Sequence, residues 1–171
     1  MNATVTAKPS DKPQLPAAPA LPTTLAEFEA AYDAANPHPY PGLAPLSGVV
    51  TVGGRSRTMF PGAGVIELRQ AENPKKYGTA TFYRYRLYRT GATIDEHIEA
   101  ISKLEGTRLQ DARSQGLRDV NWDTEAHRGF IAVWPAGTTA DQITAVRAYT
   151  TARDAAVAQY KAAAALRPAQ K

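Results

Sequence analysis

Hydrophobic spacing divides the chain into a proline-punctuated start, a strand-rich middle and a helical end. Ile94, Ile98 and Ile101 recur at helical spacing and predict an amphipathic helix over 94–105, with Gly106 as its C-terminal cap. Four Thr-x-x-Glu/Gln patterns precede such segments: Thr24/Glu27, Thr93/Glu96, Thr107/Gln110 and Thr139/Gln142. In a capping box the threonine oxygen and the acidic or amide side chain satisfy backbone donors reciprocally. The first predicts a short helix to Ala35, closed by the rigid run Asn36-Pro37-His38-Pro39-Tyr40-Pro41. The third predicts a short helix ended by Gly116. The fourth predicts a long one from Ala140 to Leu166, about 40 Å if straight. Its far half, from Ala155 on, is rich in alanine, so it projects from the domain or packs closely on another helix.

Strand signals lie between these helices. Val49–Val52 and Arg55–Met59 flank Gly53-Gly54 and read as a hairpin. Gly64–Arg69 and Thr79–Arg89 flank Asn73-Pro74 and read as a second antiparallel pair. Val120–Trp122 and Gly129–Trp134 read as a third, with Phe130–Trp134 apolar on both faces and therefore central. The strand over Phe82–Arg89 would place Phe82, Arg84, Arg86 and Tyr88 on one face, and Tyr83, Tyr85, Leu87 and Arg89 on the other.

The expected fold is α+β: a mostly antiparallel sheet with helices on one face, and a long C-terminal helix. A ferredoxin-like βαββα order over 79–160 is the specific topology expected. Residues 1–22 read as an extended arm, because Pro9, Pro13, Pro16, Pro19 and Pro22 exclude helix and central strand and favour polyproline geometry. Residues 23–46 then form a short helix and proline-rich linker, and 47–171 the α+β domain.

Composition narrows the function. Of 171 residues none is cysteine, which removes disulfides, thiol chemistry and cysteine–zinc sites. No apolar run reaches the roughly 20 residues needed to span a bilayer. The N-terminus lacks the pattern of a classical secretory signal, and the expected location is a virion or the cytoplasm. The net charge of +4 is uneven: residues 1–46 carry −2, 47–92 carry +6, and 93–171 sum to zero. The basic middle favours anionic partners, either nucleic acid or an acidic protein face.

Clusters that resemble catalytic sites read better as structure. Asp95-Glu96-His97 sits in a first helical turn, where carboxylates complement the helix dipole and neighbouring side chains diverge. Asp123, Glu125 and His127 alternate, but fall in an expected turn. Phosphate-cradle, dinucleotide and nucleophile-elbow motifs are missing from the sequence. The expectation is a non-enzymatic protein with no cofactor and no metal.

A structural or assembly role in a large multi-subunit particle fits best, with neighbouring subunits, self or other, as partners. The concrete form is a bacteriophage virion component: a capsid decoration, connector or tail subunit. The expected contacts are Pro9, Pro13, Pro16, Pro19 and Pro22 of the arm, with Arg84, Arg86 and Tyr88 of the strand. The alternative is a small nucleic-acid-binding module using Arg55, Arg57, Arg84, Arg86 and Arg89.

Overall fold

The computed structural model describes residues 22–52, 55–124 and 128–166, and the prolines of the arm before Pro22 lie outside them. The elements run α1 (Leu25–Ala35), β1 (Val49–Val52), β2 (Arg55–Thr58), β3 (Val65–Leu68), α2 (Ala80–Tyr85), α3 (Ile94–Glu105), α4 (Leu109–Asp123), β4 (Ile131–Trp134) and α5 (Ala140–Ala165). The chain is mixed helix and strand. Among the described residues no helix is long and apolar enough to cross a membrane.

Local signals set most helix ends. The boxes at Thr24, Thr93 and Thr139 all close; at Thr93 its backbone N–H donates to Glu96 Oε2 at 2.7 Å and Glu96 N–H donates to Thr93 Oγ1 at 3.1 Å. Helix α3 ends on Gly106 at φ 61°, a left-handed position that glycine takes without a Cβ penalty. The box at Thr107 does not form, because Thr107 belongs to the end of α3. Its N–H donates to the Ser102 carbonyl at 3.2 Å and its carbonyl accepts from Ser102 Oγ at 2.7 Å. Arg108 is then the N-cap of α4.

Two expectations fail in this region for a shared reason. Gly116 does not stop α4, and Val120–Trp122 continues it as helix. The buried positions Ala112, Gly116, Val120 and Asp123 form one stripe facing α3. A Cβ on Gly116 would lie 2.9 Å from Ile98 Cγ1 and 3.1 Å from Ile101 Cδ1, so this glycine permits close approach of two helices.

The hairpin β1/β2 pairs as expected, Val49 opposite Thr58 and Val52 opposite Arg55. The partner of β3 is β4, with Val65 opposite Trp134 and Leu68 opposite Ile131. It is not the segment 79–89, which is helix and turn. The other edge of β3 is met by the lead-in to α3: Ile66 N–H donates to the Ala92 carbonyl at 2.8 Å and Gly91 N–H to the Ile66 carbonyl at 2.9 Å. Among the described residues of 79–160 there is one strand, β4, so the ferredoxin-like order is not seen there.

All four β4 residues are buried, as their apolar run on both faces implied, but β4 is one strand of a two-stranded ribbon with β3 and not the central strand expected. Alternation along the β3/β4 ribbon feeds two clusters. Ile66 and Val133 join Phe60, Tyr85, Tyr88, Ile94, Ile98, Ile101 and Val120, while Val65, Ala132 and Trp134 join Ile143 and Val146 of α5. Helices therefore cover both faces of this ribbon rather than one. Each fully buried Ile contributes roughly 1.5–3 kcal/mol relative to exposure. Glu67 points to the α5 side and is buried, accepting from Trp134 Nε1 at 2.8 Å and pairing with Arg147 at 3.0 Å.

Helix α5 carries its last buried residue at Val146 and continues to Ala165, about 28 Å further at 1.5 Å per residue. Helix α1 runs antiparallel along that extension. Phe28 stacks on Tyr160 at 4.6 Å, and Asp33 accepts from Tyr149 Oη at 2.8 Å and Arg153 Nε at 2.7 Å. No residue of α1 is buried.

Candidate functional site

The segment read as an adhesive basic strand folds inward. Thr79 caps α2 by accepting from Phe82 N–H at 3.2 Å, and the helix gives way to a turn after Tyr85. Helical spacing brings Arg84, Tyr85 and Tyr88 to one side, and all three are buried. The expected solvent or partner face of Arg84, Arg86 and Tyr88 is therefore broken up, with Arg86 the one exposed member of the three.

Arg84 binds three groups from two other helices. Its Nε donates to Asp119 at 2.5 Å, and its Nη1 to Glu105 at 2.9 Å and Gln115 at 3.1 Å. Burial works against the cation, but the bonds to Asp119 and Glu105 outweigh it and hold its pKa above the ordinary value. A planar fork suits this multiple docking, and one lysine amine could not reproduce it.

Behind it lies a second polar group. Lys75 donates to the buried carboxylate of Asp123 and sits 5.4 Å from the Phe130 ring centre and 5.9 Å from that of Tyr85. Burial raises the Asp123 pKa, and the bond and charge of Lys75 pull it down only in part. Tyr88 is held protonated chiefly by burial, then by the charge of Asp123. Neither Tyr88 Oη nor Asp123 Oδ2 completes a hydrogen bond of normal geometry. Burial likewise lifts the Tyr85 hydroxyl to about 12. His97 stacks on Tyr88 at 4.1 Å and 15°, and burial lowers its pKa to about 4, against the pull of the Leu87 carbonyl and Asp119. At neutral pH His97 is uncharged and Tyr88 protonated. The cluster is a set of bolts between α2, α3 and α4.

Above these bolts opens a cleft of about 370 Å³ lined by Lys75, Thr81, Arg118, Asp119, Trp122 and Arg128. Arg118 and Arg128 are exposed at its rim. The sequence pattern did not point to Lys75, Asp119, Arg118 or Arg128. A signal existed in the helical stripe Ala112, Gly116, Val120 and Asp123, which the presumed stop at Gly116 concealed.

The remaining sequence-picked residues do not converge. Asp95 pairs with Arg113 at 2.9 Å on the surface, Glu96 caps α3 and His97 is core, as expected for structural roles. Asp123 faces inward, whereas Glu125 and His127 fall outside the described residues. Arg89 is exposed beside the starts of α3 and α5. Arg55 and Arg57 sit on β2 opposite Val52 and Val50. The Pro22 carbonyl accepts weakly from Tyr160 Oη at 3.5 Å. Among the described residues no three His, Asp or Glu side chains are grouped to hold a metal ion. Comparison with protein-family models, curated proteins and solved structures gives no match to this chain.

Proposed function

We propose that this protein is a non-enzymatic assembly subunit that docks on neighbouring subunits through the paired helices α1 and α5 and the prolyl segment leading into them. One observation carries the reading: α5 runs about 28 Å past its last buried residue, braced on one side by a helix that itself has none buried. Such a rod gains little for the fold, since helical stability comes chiefly from packing an apolar face. Its polar clamp of Asp33, Tyr149 and Arg153 fixes the direction of the rod instead. The exposed stripe Ala155, Ala158 and Ala162 lets another backbone approach closely. Pro22 lies at Tyr160, towards the outer end of the rod. A large particle is the setting proposed, most concretely a bacteriophage virion, as capsid decoration, connector or tail subunit.

Light scattering coupled to size-exclusion chromatography tests this on the full chain, on a variant lacking residues 1–22, and on Ala158→Arg/Ala162→Arg. Arginine is a good helix former, so the double variant keeps the rod and blocks close approach. Association that is lost in both variants supports docking by this element. Identical mass in all three, whether monomer or oligomer, refutes it.

A further inference from the structure

We propose that the outer half of α5 pairs with the same helix of a second copy of this chain, antiparallel and about a twofold axis. The inference rests on the assembly reading and names its partner. The rod has two sides. Tyr149, Arg153 and Tyr160 are half-buried on the side of α1, held by Asp33 and Phe28. On the far side Ala148, Thr151, Ala155, Ala158, Ala162 and Ala165 are all exposed. Their spacing alternates three and four, as the a and d positions of a heptad do. A face of that period follows one partner helix along its whole length, here about 26 Å. With alanine at all of these positions but Thr151, two such helices can approach to about 8 Å between axes.

Charge identifies the occupant and fixes the register. Asp154 and Lys161 are both exposed and both fall at the g position flanking this face, one heptad apart. Among the described residues neither has an ion-pair partner. In an antiparallel pair the g positions of the two helices face each other, and their charges set orientation and partner. Placing Ala155 against the partner's Ala158 brings Asp154 opposite the partner's Lys161. The twofold axis repeats that ion pair with the roles exchanged. Sliding the helices by one heptad sets Lys161 against the partner's Lys161, or Asp154 against the partner's Asp154. In a parallel pair g faces e, where this helix carries the uncharged Ala152 and Gln159. One arrangement thus satisfies both charges, and α5 already holds the complement of its own pattern. The contact is one helix wide and small for a specific interface, so the dimer should dissociate at micromolar concentrations.

The test is sedimentation velocity on the full chain from about 5 to 200 μM at low salt, where exposed charges are least screened. Asp154→Lys and Lys161→Asp each set like charges together twice, and each should raise the dimer Kd at least about tenfold. The exchange Asp154→Lys/Lys161→Asp rebuilds both pairs and should return Kd to within about threefold of the native chain. Mixing the two single variants should give a heterodimer, since each supplies the charge that the other lacks. Ala158→Arg/Ala162→Arg should abolish association, as the assembly reading also requires. If that variant loses association while both single charge variants keep it, docking by this face stands and the antiparallel self-pair is overturned. If no variant changes it, both readings fail. The self-pair is overturned too by a native chain that stays monomeric at the highest concentration, by an exchange variant as weak as the single ones, or by a mixture that stays monomeric.

Discussion

His97 should make the fold sensitive to mild acid, and the sign follows from its burial. In the unfolded chain the imidazole takes a proton near its ordinary value of 6.5, whereas in the folded chain it does so at about 4. Stability from keeping it neutral is complete above pH 6.5 and is lost progressively as pH falls from 6.5 to 4. Below that the charge is carried in both states. At 1.36 kcal/mol for each pH unit the full loss is about 3 kcal/mol. Several groups bear on this. Arg84 on α2 adds to the suppression, Asp119 on α4 opposes it, and Tyr88 covers the ring. Asp123 pulls the other way, since its raised pKa favours the folded state as it takes up a proton in acid. The assay is urea unfolding followed by far-ultraviolet circular dichroism at steps between pH 7 and 4, on the native chain and on His97→Phe. Phenylalanine keeps the stack on Tyr88 and deletes the titration, at the loss of the imidazole's polar contact with the Leu87 carbonyl, which is the same at every pH where the ring is neutral. The difference between the two proteins should shift by about 3 kcal/mol in favour of the variant across this window. Parallel stability–pH curves would refute the account of His97 as a buried neutral base.

Two further substitutions probe the packing between the helices. Gly116→Ala gains about 1 kcal/mol of helix propensity but forces a methyl against Ile98 Cγ1 at 2.9 Å. Ile98 is β-branched and stiff, so overpacking of about 2 kcal/mol should prevail and give net destabilisation by denaturant titration; a more stable protein would contradict the close crossing. Arg84→Ala strands Asp119 and Glu105 and should cost about 3 kcal/mol. Arg84→Lys should recover less than half of that in the same titration, and full recovery would show that the forked geometry is irrelevant.

What could be read in advance tracks how local its cause is. The threonine boxes at Thr24, Thr93 and Thr139 involve groups three residues apart, and each closes where expected. The isoleucine stripe of α3 and the glycine after it follow from periodicity and from one backbone conformation. The site was less legible. Tyrosine, phenylalanine and arginine in alternation have strand propensity, yet propensity of that kind expresses packing partners more than backbone preference. For Arg84 the partners are Asp119, Glu105 and Gln115, which lie 21 to 35 residues away. Likewise Gly116 reads as a terminator until the isoleucines of α3 are seen to need its missing Cβ.

The amino-acid order alone settled where α1, α3 and α5 begin, that β3 and β4 are strands, and that the protein is α+β with a long terminal helix. Those outcomes depend on caps, turns and spacing within a few residues. Only the assembled fold decided that β3 pairs with β4 across more than 60 intervening residues and that a basic aromatic segment coils into the core. It also brought Arg118 and Arg128 to the rim above Lys75. A charged side chain enters an interior only where opposite charges from elsewhere meet it, and that meeting is a property of the whole chain.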